Sequence, residues 1–143
     1  MKTYTIRELS QLFELPPSTL RYYEEVGLLT NIQRQGNRRI YQECHLNRLR
    51  ALCCFKETGM SIAQLQTFFT YETAPDKNEE MVDLLQDHSA KVAAQMASLQ
   101  KNMQHIQRKL HFYQDICQAE KNNQPLPHWS SYKDQVYPDA IAK

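Results

Sequence analysis

The feature that most constrains this chain is its punctuation by glycine and proline. Only three glycines occur (Gly27, Gly36, Gly59), and 49 consecutive residues between Pro75 and Pro125 contain neither residue type. Glycine and proline are the strongest local breakers of regular structure. A stretch that long without them predicts one continuous helix, from about Asn78 to about residue 121. At about 1.5 Å per residue such a helix is roughly 60 Å long. Its apolar seam reads Leu85, His88, Val92, Met96, Leu99, Met103, Ile106, Leu110, Tyr113, Cys117, in steps of three and four with one irregular step at Val92–Met96. That is heptad spacing. A chain of 143 residues is too small to cover so long a seam, so a second copy of the helix is expected to do it.

Upstream the breaks fall closer together. Thr5 with Glu8 forms a capping box, and Ile6, Leu9 and Phe13 mark one face of a first helix. Pro16-Pro17 turns the chain, and a second helix from Ser18 to Val26 ends at Gly27. Two short helices this close have helix-turn-helix spacing. Gly36-Asn37 then marks the turn of a short β-hairpin flanked by Ile32, Ile40 and Tyr41. The hairpin carries Arg34, Arg38 and Arg39, and residues 29–42 contain no acid. A third helix runs from Glu43 to Thr58, with Leu46, Leu49 and Cys53 on one face. Ser61 with Gln64 opens a fourth, through Ile62, Leu65, Phe68 and Phe69 to Tyr71. The fold class is therefore mainly α: a winged helix-turn-helix head at 1–71, a linker at 72–77, a coiled-coil helix at 78–121 and an aromatic-containing tail at 122–143.

The near-neutral total charge of +1 conceals an asymmetry. Residues 1–71 hold nine Lys+Arg against six Asp+Glu, and seven of the eight arginines precede residue 51. The planar guanidinium donates in pairs to phosphates and base edges, so the front half is expected to bind a polyanion. Four cysteines at 44, 53, 54 and 117, with no Cys-x-x-Cys spacing, make neither a disulfide framework nor a closed zinc site. His88, His105, His111 and His128 share no metal-ligand spacing; no metal and no cofactor is expected. No phosphate-binding glycine loop, metal triad or nucleophile elbow is present, so no catalytic residues are assigned. No apolar run approaches the roughly 20 residues of a membrane span, and the first residues lack a secretory apolar stretch. A cytoplasmic protein with reduced thiols and no membrane partner is expected.

Laid out this way, the chain resembles the MerR family of bacterial transcription regulators. The resemblance is carried by Tyr4-Thr5-Ile6-x-Glu8-Leu9, by Thr19-Leu20-Arg21-Tyr22-Tyr23-Glu24-Glu25-Val26-Gly27-Leu28, and by Gly36-Asn37-Arg38-Arg39-Ile40-Tyr41. Leu46-x-Arg48-Leu49 and Gly59-x-Ser61-Ile62-x-x-Leu65 follow. It implies an antiparallel coiled-coil homodimer on a pseudo-palindromic promoter operator. It also implies activation by distortion of that double-stranded DNA, so that RNA polymerase can use the promoter. Ser18, Thr19, Arg21, Tyr22 and Tyr23 of the second helix, and Arg38, Arg39 and Tyr41 of the wing, are the expected DNA contacts. For Tyr23 a place in the core is the alternative. Two departures are visible: Pro16 stands where relatives carry a serine cap, and the wing is one residue longer than the common form.

The segment Cys53-Cys54-Phe55-Lys56-Glu57-Thr58-Gly59-Met60-Ser61-Ile62 is similar to the aldehyde- and electrophile-responsive branch, the NmlR/AdhR-like proteins. That branch places a single cysteine five residues before the glycine, here Cys54. Arg50, four residues earlier on the same helical face, is expected to favour its thiolate. The other reading makes Cys54 a small packed hydrophobe in a regulator that answers another signal, or none.

Overall fold

The computed structural model describes residues 2–138; Met1 and the last five residues of the expected tail lie outside them. Nine elements follow in order: β1 (Thr3–Tyr4), α1 (Ile6–Phe13), α2 (Pro17–Glu25), β2 (Gln33–Gln35), β3 (Arg38–Gln42), α3 (Glu43–Glu57), α4 (Ile62–Glu72), α5 (Asn78–Lys121) and a 3₁₀ turn at Trp129–Ser131. Local chemistry sets most of these boundaries. Thr5 Oγ1 accepts from Glu8 N–H at 3.2 Å and Ser61 Oγ from Gln64 N–H at 3.1 Å, and each box is closed by the return bond to the cap. Pro16 caps α2 with no side-chain bond, as its chemistry requires; its carbonyl instead accepts from Thr19 N–H at 3.0 Å. Gly27, Gly36 and Gly59 all have positive φ, at +80°, +65° and +101°, where the chain leaves a helix or turns the hairpin.

The three strands form one antiparallel sheet in the order β1-β3-β2. Gln35 opposes Arg38, Arg34 opposes Arg39 and Gln33 opposes Ile40, so Gly36-Asn37 is a two-residue hairpin turn and the register of the two wing arginines is settled. Beneath the sheet, Leu9, Leu20, Leu28, Leu29, Leu49, Leu52 and Leu65 are at most 1% exposed and hold α1–α4 around one core. His45 is buried with them. Its Nδ1 accepts from Gln42 N–H at 2.9 Å and its Nε2 donates to the Thr30 carbonyl at 2.8 Å, so both ends of the hairpin are tied to α3.

The chain packs as two compact units, one ending at His88 and one beginning at Ser89. The first unit includes the start of α5, with Met81 and Leu84 packed on its core. His88 is bonded within this unit: its Nε2 lies 2.7 Å from Thr58 Oγ1.

In the second unit the tail is docked on α5. Tyr132 OH donates to Asp115 Oδ2 at 2.7 Å, Arg108 Nε to the Gln135 carbonyl at 2.6 Å, and Gln104 Oε1 accepts from Tyr137 N–H at 2.8 Å. His111 Nδ1 lies 2.8 Å from Tyr137 OH, and Trp129 lies against Phe112 with Lys109 over its ring. The expected seam on α5 stays open within the chain: Met96, Leu99, Met103, Ile106, Leu110 and Tyr113 are all 44–68% exposed.

Candidate nucleic-acid interface

The first unit brings its arginines to one face. Arg7 near the start of α1, Arg21 in the middle of α2, and Arg38 and Arg39 on β3 line a cleft of about 750 Å³, together with Thr5 and Asn37. The spacing explains the convergence. α2 presents Arg21 on the side opposite buried Leu20 and Tyr23, while the two-residue turn swings β3 back along the same face. Ser18, in the first turn of α2, is exposed, Thr19 is half-buried and Tyr22 is 44% exposed.

The wing arginines are not equivalent. Arg38, beside the turn, is exposed. Arg39 is held: its Nε donates to Glu24 Oε1 at 2.9 Å, with Oε2 at 3.4 Å, and Arg34 lies 3.8 Å from the same carboxylate. Arg48 takes no part. Its Nε donates to the Leu28 carbonyl at 2.7 Å and its guanidinium stacks 4.1 Å from the Phe69 ring centroid, so it braces the core.

Two of the expected contacts are buried in the structure: Tyr41 is 0% exposed, and Tyr23, for which a place in the core was the alternative, is 4% exposed. Tyr41 belongs to the core cluster, with Tyr4 opposite it on β1 and the His45 ring edge-on at 5.9 Å. Tyr23 closes the inner face of α2. Burial pushes both phenols above the ordinary tyrosine value, an effect that Arg39 partly opposes at Tyr41. Conversely, Arg7 and Glu24 belong to this face without having been expected. Arg7 follows the Thr5 cap by two residues, and Glu24 lies one turn after Arg21. That helical spacing was the available signal for Glu24.

The cysteines are spread out. Cys54, in the last turn of α3, is exposed, and its carbonyl accepts from both the N–H and the hydroxyl of Thr58. Neighbouring Cys53 is half-buried, and burial, reinforced by the Glu57 carboxylate, pushes its thiol up. Arg50 is exposed, with its Nη1 donating to Asn47 Oδ1 at 2.7 Å. Among the described residues no three His, Cys, Asp or Glu side chains are placed to hold a metal ion, and no helix is long and apolar enough to cross a membrane.

Comparison with known proteins agrees with this arrangement. Residues 4–72 match the model of the MerR HTH family regulatory proteins, and residues 46–109 match the MerR DNA-binding model. An HTH-type transcriptional regulator of Haemophilus influenzae is 34% identical over 115 residues, covering 78% of this chain and 84% of the relative. ZntR of Escherichia coli is 28% identical over 80% of each chain. AdhR of Bacillus subtilis is 33% identical over 76 residues, about half of each chain. Among solved structures, HiNmlR, a MerR family regulator lacking the sensor domain and bound to promoter DNA, superposes with a TM-score of 0.72 at 30% identity. The match covers 86% of this chain and 97% of that one. These relatives are transcriptional regulators and not enzymes. With one arginine-lined face built from α1, α2 and the wing, and family matches running together from residue 4 to residue 109, the chain belongs to the MerR family of DNA-binding transcription regulators.

Proposed function

We propose that this protein works as a homodimer on a pseudo-palindromic promoter operator, and that it activates by bending and untwisting the DNA so that RNA polymerase can engage a promoter with an over-long spacer. The observation that carries this reading is the cleft in which Arg7, Arg21, Arg38 and Arg39 meet. Ser18, Thr19, Arg21 and Tyr22 of α2 contact bases or backbone, and Arg38 and Arg39 contact phosphate. Residues 1–71 serve as the DNA-binding part, 72–77 as the connection, 78–121 as the dimer helix and 122–143 as a tail laid on it. The dimer accounts for an otherwise open row of large apolar side chains along α5. Deforming a site of this size costs on the order of 1–6 kcal/mol, so an activating signal must supply part of that difference. Such a regulator acts in the cytoplasm.

For the signal we propose a thiol-reactive electrophile acting at Cys54. The likeness to HiNmlR and the partial likeness to AdhR support the branch; Cys54 is exposed, as Cys44 and Cys117 are and half-buried Cys53 is not, so its thiol is open to such a reagent. With an aldehyde, the Cys54 sulfur bonds to the carbonyl carbon and the oxygen takes up the thiol proton, giving a hemithioacetal without any oxidant. With a quinone, conjugate addition forms the S–C bond and leaves a hydroquinone. An adduct there acts on the last turn of α3, where Cys54 O holds Thr58 and Thr58 Oγ1 meets His88 on α5.

Two measurements test these readings separately. Selection of a random-sequence duplex library with the purified protein should enrich two symmetric half-sites, and Arg21→Ala should abolish the enrichment. An unenriched library with folded wild-type protein refutes the DNA reading. Intact mass with site mapping after aldehyde or quinone treatment, read beside transcription in vitro, should show modification at Cys54 and raised transcription. A Cys54→Ser protein that still responds refutes Cys54 as the sensor.

A further inference from the structure

Glu24 is an acid paired with Arg39, one of the arginines lining the cleft, and an acid beside a phosphate-binding face opposes binding. Its geometry gives it another use. Arg34 and Arg39 are directly opposite each other across the hairpin, and like charges at a cross-strand pair repel. Glu24 reaches both from α2: Arg39 Nε at 2.9 Å and 3.4 Å, Arg34 Nη2 at 3.8 Å. The Glu24 and Arg39 side chains are only 24% and 21% exposed, so this contact is partly withdrawn from solvent, while the Arg34 side chain is 50% exposed. Nε is the group of Arg39 committed to Glu24, which leaves its two Nη groups for another acceptor. Glu24 also lies one helical turn after Arg21, so the same strip of α2 carries a cleft arginine and the acid that ties down the wing.

We infer that Glu24 is a positioning residue: it neutralises the repulsion between Arg34 and Arg39 and pins the wing to α2, so that Arg39 meets the DNA in fixed register with Arg21. The inference rests on the DNA-binding reading for its consequence. Its structural half concerns the free protein and stands or falls alone.

The test uses Glu24→Ala and Glu24→Gln in the full chain, each first shown by far-ultraviolet dichroism to be folded. In the free protein, amide hydrogen exchange at Gln33–Gln42 should quicken several-fold in Glu24→Ala and less in Glu24→Gln, which keeps an acceptor for Arg39. Exchange at the α4 amides should be unchanged. On a 30-base-pair duplex of mixed sequence, Glu24→Ala should bind more weakly than wild type despite having lost a negative charge. The slope of log affinity against log salt should fall by about 0.9 per lost contact, or about 1.8 for a dimer. Tighter binding by Glu24→Ala with an unchanged slope would show that Glu24 acts only as a repelling charge. Unchanged exchange in the wing would overturn the pinning itself. Should wild type fail to bind the duplex, the DNA reading fails while the exchange result still decides whether Glu24 holds the wing.

Discussion

Replacing His45 removes the point at which the hairpin is tied to α3. His45 is 3% exposed and carries two bonds to backbone, one from Gln42 N–H at 2.9 Å and one to the Thr30 carbonyl at 2.8 Å. Each bond contributes about 0.5–1.5 kcal/mol, and a backbone group left dry costs about 1–3 kcal/mol. Thr30 is exposed and its carbonyl can regain water, whereas Gln42 is half-buried at the N-cap of α3. With the buried ring also lost, His45→Ala is expected to cost about 2–4 kcal/mol. His45 stands at the third position of α3, where glutamine completes a capping box, as Gln64 does for Ser61 in α4 with a 2.9 Å bond. His45→Gln therefore keeps the Gln42 bond and gives up only the Thr30 bond, and it should recover about half of the loss. Urea unfolding at one fixed protein concentration measures both variants, the concentration being held because a dimer's stability depends on it. A cost for His45→Ala below about 1 kcal/mol, or a glutamine variant no better than alanine, would refute this account of how the wing is anchored.

Other outcomes follow from the same geometry. Four cleft arginines per protomer, eight in the proposed dimer, predict a salt slope near −7 on duplex DNA, and Arg21→Ala should reduce its magnitude by about 1.8; filter binding across a salt series reads both values. A substoichiometric maleimide should label Cys54 well before Cys53, because Cys53 is half-buried and its thiol is pushed up, and peptide mapping reports the order. Tyr41 is raised by burial, so its contribution to stability is full below the ordinary tyrosine value near 10 and is lost as pH rises beyond it. Tyr41→Phe should accordingly show a shallower loss of melting temperature between neutral and strongly alkaline pH than wild type.

What was legible in the sequence was whatever rests on local chemistry. The capping boxes at Thr5/Glu8 and Ser61/Gln64 open α1 and α4, Gly36-Asn37 turns the hairpin, and the breaker-free stretch becomes α5 with the expected ends. What escaped depends on contacts distant in sequence. Tyr41 reads as a wing residue until its ring is found packed in the core cluster with Leu20 and Leu49, residues distant in sequence. The basic hairpin has no acid of its own, and the acid that organises it arrives from α2. Arg48 counted toward a basic front half, yet it spends its charge on a carbonyl and an aromatic face. The tail has no period, and its docking partners Gln104, Arg108, His111 and Asp115 form a polar stripe at helical spacing that the apolar seam beside it obscures.

The most direct measurement is hydrogen exchange of the full chain with and without duplex DNA, taken as a pool of sheared genomic fragments so that no operator need be known. Protection on binding should concentrate at Pro17–Glu25 and Gln33–Gln42, the elements that frame the arginine cleft, and leave the docked tail around Trp129–Ser131 unchanged. Protection confined to α5 or the tail, with α2 and the wing exchanging as in the free protein, would contradict the assignment of this face to DNA.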